Sequence, residues 1–260
     1  MKNTWTIFRR ELNAYFVSPM AYVVLVFFFA LASVFFYLFL ASFLQNQQLI
    51  QMQAQQGGRF QPVNVNLMLI RGLLLNLSVI SLFMIPMITM RSFSEDKHNG
   101  TMELLLTSPL TNWQIILGKY FAALTLYATM IGTTLLFMVL LFFYGDPEFL
   151  PILSGYIGLL LFGAALVGIG MFISSLTENQ LVSALVTFVV MLFLWLVGAL
   201  GSFNSTNWSQ QLLQYLSTIE HLDDFVKGVF DTRHLVYYLS TAFLGLFLTY
   251  QSVESTRWRG

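Results

Sequence analysis

Residues 91–109, RSFSEDKHNGTMELLLTSP, gather charge and turn-forming residues between two long apolar stretches. Arg91, Glu95, Asp96, Lys97 and Glu103 all lie here, although only 9% of the chain is charged and 57% is hydrophobic. A soluble domain carries about 25% charged residues. The chain therefore reads as an integral membrane protein, and this segment as an ordered connection between two of its spans.

Locally the segment reads as a short helix, a break and a second short helix. Ser92 to Glu95 fits a capping box, in which the Ser and Glu side chains satisfy free N–H groups at a helix start. Asn99-Gly100 supplies a left-handed stop. Thr101 caps the next helix, with Glu103 in its first turn and Leu104, Leu105 and Leu106 as its apolar body. Pro109 disfavours helix at Ser108. Thr111 to Gln114 is a further capping box. Charge beside apolar anchors suits docking into a partner's groove. A plain turn needs far fewer residues, as SSLTENQ (174–180) shows.

Working outward, a spanning helix needs about 20 apolar residues. Segments 20–44, 67–90, 119–144, 152–174, 180–202 and 234–252 qualify, so the expected fold is all-α with six transmembrane helices. Arg71 lies near one end of the second span, where its side chain reaches the interface by snorkelling. Lys2, Arg9, Arg10, Arg91, Lys97, Lys119, Arg257 and Arg259 fall on one side of this plan; Arg59, Arg71, Lys227 and Arg233 fall on the other. The bias puts both termini in the cytoplasm. The start, MKNTWTIFRRELNAYFVSP, is too polar for a cleavable signal and reads as a lead-in to the first span. Gln-rich 45–61 reads as a flexible outer loop. Residues 207–230 carry apolar side chains at helical spacing and read as external amphipathic helix.

Several function classes are excluded or disfavoured. No Asp, Glu, His, Lys or Arg sits near the middle of a span, so an ion or proton relay has no support. The zero net charge indicates no bulk attraction to nucleic acid. The absence of Cys rules out disulfides and thiolate metal sites. No HExxH, GxSxG or GxxxxGK[ST] occurs, so neither catalysis nor ATP hydrolysis is expected of this chain. Span four is rich in small residues, including the Ala164/Gly168 pair, as expected where helices pack closely.

The stretch RSFSEDKHNGTMELLLTSPLTNWQIILGKY resembles the first cytoplasmic loop of type-2 ABC transporter permeases. The shared pattern is Arg-x-Phe-x-Glu-acid-Lys-x-x-Gly-Thr-x-Glu-Leu-Leu, then Thr/Ser-x-Pro, then Lys after Gly. FRRELNAYFVSPMAY resembles the connecting helix that precedes span one in that family. EHLDDFVKGVFDTRHLVYYLSTAFLGLFLT resembles the last outer segment and final span of its gliding-motility and nitrous-oxide-maturation branch.

The resemblance implies one transmembrane domain over 1–260, with a connecting helix at 1–18, a coupling region at 91–115 and an external segment at 203–233. It implies an inner-membrane permease subunit that pairs with a second permease half and docks a separate cytoplasmic ATPase. ATP and Mg would belong to that ATPase; no cofactor is expected in this chain. Arg91, Phe93, Glu95, Asp96, Lys97, Gly100, Thr101 and Glu103 would lie at or beneath the ATPase contact, with Glu95 and Lys97 pairing charge across it. Thr177 and Glu178 would form a second contact, although Thr177 to Gln180 also reads as a simple helix start. Phe225, Val229 and Phe230 are external gate candidates. A non-transporting alternative within the same family transmits force to outer partners through 45–66 and 203–233.

Overall fold

The computed structural model describes residues 2–55, 65–102, 110–144, 147–201, 213 and 215–257. Every regular element among them is helical: α1 Lys2–Val17, α2 Pro19–Gln55, α3 Arg71–Thr89, α4 Arg91–His98, α5 Asn112–Thr133, α6 Leu135–Tyr144, α7 Phe149–Leu176, α8 Gln180–Gly201, α9 Thr218–Val226 and α10 Thr232–Arg257, with a π-turn at Asn66–Ile70. Five stretches are long and apolar enough to cross a membrane: Pro19–Met52, Met68–His98, Asn112–Phe143, Phe149–Leu176 and Gln180–Gly198. They correspond to the first five expected spans. The sixth expected span, 234–252, lies within α10, which is more polar.

The helix breaks have local causes. Pro19 disfavours a helical Ser18 and opens α2, and the Ser18 hydroxyl accepts from Met20 N at 3.4 Å. The expected third span is divided between α5 and α6 at Thr134. The Thr134 hydroxyl donates to the Ile131 carbonyl at 2.7 Å and meets the Tyr156 hydroxyl at 2.9 Å, competing with the helix ladder. The Gln-rich stretch departs from the loop expectation: α2 runs on through Gln55. Gln is a good helix former, and nothing before Gly57 interrupts the run.

Helix α7 is the hub. Its most extensive contact is with α10, and it also packs on α3, α4, α5, α8 and α9. Close approach to α10 is backbone to backbone. A Cβ on Gly168 would meet the Ala242 carbonyl oxygen at 2.9 Å, and one on Gly245 would meet the Gly168 carbonyl carbon at 2.5 Å. The expected small-residue pairing is thus realised, with a glycine on each helix. Helix α1 lies along α5, with Ile7 buried between them.

Candidate functional site

Helix α4 follows α3 almost without a break. Met90 keeps helical dihedrals (φ −55, ψ −32), so Arg91 opens α4 and Ser92 is buried inside it. The expected Ser92/Glu95 capping box does not form, because the chain enters α4 already coiled. The acceptor for its first N–H groups comes from α7 instead. Ser174 Oγ accepts from Phe93 N at 3.1 Å and from Ser94 N at 3.2 Å, and donates to the Met90 carbonyl at 3.1 Å. The Ser94 hydroxyl lies 3.1 Å from the Ser174 carbonyl and 3.4 Å from the Thr177 hydroxyl. Four hydroxyl-mediated contacts therefore stitch α4 to the end of α7.

The charged residues of α4 are spent inside the chain. Arg91 grips Glu95 at both oxygens (2.7 and 3.0 Å) and donates to Ser18 Oγ at 3.2 Å, fastening α4 to the α1–α2 elbow. The Glu95 contact raises the Arg91 pKa above its ordinary value. Asp96 lies 2.7 Å from Lys119 Nζ, and Glu11 of α1 lies 3.2 Å from the same nitrogen. Lys119 also sits 5.5 Å from the ring centroid of fully buried Phe93, in cation–π range. Lys97 donates to the Ser175 carbonyl at 2.6 Å, placing a cation at the C-terminus of α7 where the helix dipole favours it. Burial pulls the Lys97 ammonium below its ordinary pKa, against the opposing pull of Glu178.

The part of α4 that faces outward is its tip. His98, Asn99, Gly100 and Thr101 are exposed. The expected stop at Asn99-Gly100 is present: Gly100 has φ +67, and Asn99 N donates to the Glu95 carbonyl at 3.0 Å. Thr101 turns back to donate to Asp96 Oδ1 at 3.1 Å. Glu103 and the expected second helix through Pro109 lie outside the described residues. The Thr111/Gln114 capping box is present in both directions. Glu178 and Asn179 are exposed beside the α4 end, and Asn179 caps α8 through Oδ1, 2.9 Å from Leu181 N. The cap is thus Asn179 rather than Thr177. Between α1, α4 and the start of α5 lies a groove of 680 Å³, lined by Arg10, Glu11, Tyr15, Glu95, Asp96 and Lys119 among others.

Sequence reasoning missed Ser174, Ser18, Glu11 and Tyr15 as partners of α4. Tyr15 donates to the Ile88 carbonyl at 3.1 Å, and burial pushes its pKa up to about 12. Lys119 stood in the motif without a role. At the other end of the bundle, Phe225 is buried, and its carbonyl accepts from Ser154 Oγ at 2.7 Å. Val229 and Phe230 are exposed beyond Gly228, so the three gate candidates do not form one plug. Arg71 does not snorkel freely; it grips Asp223 of α9 at 2.8 and 3.0 Å.

A polar helix locked into the end of an apolar bundle is thus present where the motif lies. A family model described as ABC-2 family transporter protein matches residues 5–253. The chain belongs to the ABC-2 transporter family. This ABC-2 chain is 31% identical over 156 residues to the probable multidrug ABC transporter permease YbhR of Escherichia coli strain K12, and equally to that of strain O157:H7. The match covers 59% of this chain and 42% of each relative, so it spans about two-fifths of their length. Among the described residues, no group of three or more His, Cys, Asp or Glu is placed to hold a metal ion.

Proposed function

We propose that this ABC-2 chain is a permease subunit that couples ATP hydrolysis by a separate ATPase to export or extraction of a substrate across the inner membrane. The observation that carries this reading is the fixation of α4 to α7 through Ser174, to α5 and α1 through Lys119, and to the α1–α2 elbow through Arg91. A force applied to the α4 tip reaches α7, and through α7 the other packed helices, as a rigid displacement. The ATPase contact is accordingly the exposed set His98 to Thr101 with Glu178 and Asn179. Arg91, Phe93, Glu95, Asp96 and Lys97 hold that surface in place from beneath.

The working unit pairs this chain with a second permease half. Helix α10 is the sixth span: at about 1.5 Å per residue its 26 residues reach about 39 Å, beyond the roughly 30 Å of hydrocarbon, and it lies along α7. The Lys/Arg bias puts both termini and α4 in the cytoplasm. Similarity to the gliding-motility and nitrous-oxide-maturation branch rests on the EHLDDFVKGVF segment. One observation favours the force-transmitting alternative: α2, at 37 residues and about 55 Å, stands well clear of the hydrocarbon on the outer side.

The test is purification from native membranes. An ABC ATPase is expected to co-purify, and its turnover is expected to depend on the α4 tip. Substrate-dependent turnover in liposomes separates transport from force transmission. A native complex without an ATPase refutes both.

A further inference from the structure

Away from α4, two buried imidazoles face one another. His221 lies in α9 and is 4% exposed; His234 lies in the first turn of α10 and is 9% exposed. Their Nδ1 atoms are 2.6 Å apart. The remaining nitrogen of each ring meets a group that can only accept. His221 Nε2 is 3.0 Å from the Tyr215 carbonyl oxygen, and His234 Nε2 is 3.0 Å from Asp224 Oδ2. Both Nε2 atoms must therefore carry hydrogen. Two neutral rings so fixed would turn bare Nδ1 lone pairs on each other at 2.6 Å, which is repulsive.

A proton between the rings resolves the conflict. A bridging metal fits less well: bonds of about 2.0 Å in tetrahedral geometry put the two nitrogens roughly 3.3 Å apart. We propose that His221 and His234 form a binding site for one proton, with His234 as the imidazolium donating from Nδ1 to neutral His221. The shared proton clamps α9 to α10.

The surroundings assign the charge to His234. Asp224 contacts His234 directly, and its other oxygen lies 3.3 Å from Lys227. Asp223 is engaged by Arg71 of α3 and by Lys227, and Glu220 lies on α9 itself. Arg233 sits over the Tyr215 ring at 5.2 Å. Helices α7 and α8 bring no charged residue, as their sequences show. Tyr237 stacks on His221 at 3.9 Å. Burial holds His221 below its ordinary pKa, in keeping with its part as the neutral acceptor.

The site binds one proton and no other number. A second proton sets two imidazoliums face to face, and none leaves the lone pairs opposed. The Arg71–Asp223 pair and the Ser154–Phe225 hydrogen bond hold α9 on α3 and α7 in every state, so opening is confined to the α9–α10 contact. The site is thus a pH-dependent latch within this chain.

The chain has three His residues, which makes ¹⁵N-histidine spectra readable. The experiment uses the labelled chain in lipid nanodiscs with chelator, from pH 5 to 9, with His98→Gln to remove the third signal. At pH 7 one doubly protonated ring and one Nε2–H tautomer are expected. Asp224→Asn is expected to weaken His234 proton binding about tenfold or more. His221→Gln, whose amide oxygen accepts, should retain the charged His234, whereas His221→Leu should lose it. Two neutral rings at pH 7, an unshifted Asp224→Asn variant, or pairing that forms only when zinc is added would each overturn the proposal.

Discussion

Lys119 is 3% exposed and holds Asp96 and Glu11, which are 19% and 17% exposed, at 2.7 and 3.2 Å. Lys119→Met keeps the apolar stem over Phe93 and removes the charge. Two carboxylates from α4 and α1 are then left with little solvent and no cation. Removing one partner of a buried pair costs about 3–5 kcal/mol. The residual exposure of the acids places the expected loss near the lower end, at about 3 kcal/mol. The assay is reversible unfolding of the purified chain by SDS titration in mixed micelles. Adding Asp96→Asn and Glu11→Gln removes the stranded charge, and the triple variant is expected to recover more than half of the loss. If Lys119→Met costs less than about 0.5 kcal/mol, or if neutralising the acids recovers nothing, the network does not join α1, α4 and α5 as described.

Ser174→Ala strips the acceptor from two buried N–H groups of α4 and should cost about 2 kcal/mol in the same titration; partner ATPase turnover should fall while the chain still inserts. Ala at Gly168 or Gly245 drives a methyl group into backbone across the α7–α10 contact, for an expected cost of about 1–3 kcal/mol. Gly132→Ala, with open space around its Cβ, is the control and should be neutral or slightly stabilising. Gly100→Ala meets no neighbour but strains a φ of +67, so about 1 kcal/mol of stability and part of the ATPase coupling should be lost. His221, held by burial below its ordinary 6.5, takes up a proton more readily in the unfolded chain. Its contribution is therefore full above about pH 6.5 and lost as pH falls through the folded value. Wild-type minus His221→Gln stability, measured against pH, checks the sign.

The first five spans were legible because hydropathy over about 20 residues is a strong local signal. The Asn99-Gly100 stop and the Thr111/Gln114 cap were legible because each is fixed within four residues. What stayed hidden depends on distant partners. Arg71 meets Asp223 from 152 residues away, and a single chain offers no sign of that pairing. Ser174 looked like the small-residue end of a span, yet it supplies the cap that Ser92 was expected to provide. The motif located α4 correctly but misassigned its charges: Glu95 and Lys97 were read as facing a partner, whereas both are satisfied inside the chain. The helix break at Thr134 arises from a hydroxyl contact with Tyr156, which apolar periodicity does not register.

The central claim is that the exposed α4 tip is what a nucleotide-driven motor grips. A photo-crosslinker placed at position 99 in native membranes tests it most directly, with the product identified by mass spectrometry. The account predicts an adduct with an ABC ATPase, formed on the cytoplasmic face and altered in yield by ATP. An adduct with an external protein, or a full crosslinking yield with no ATPase among the products, would contradict it.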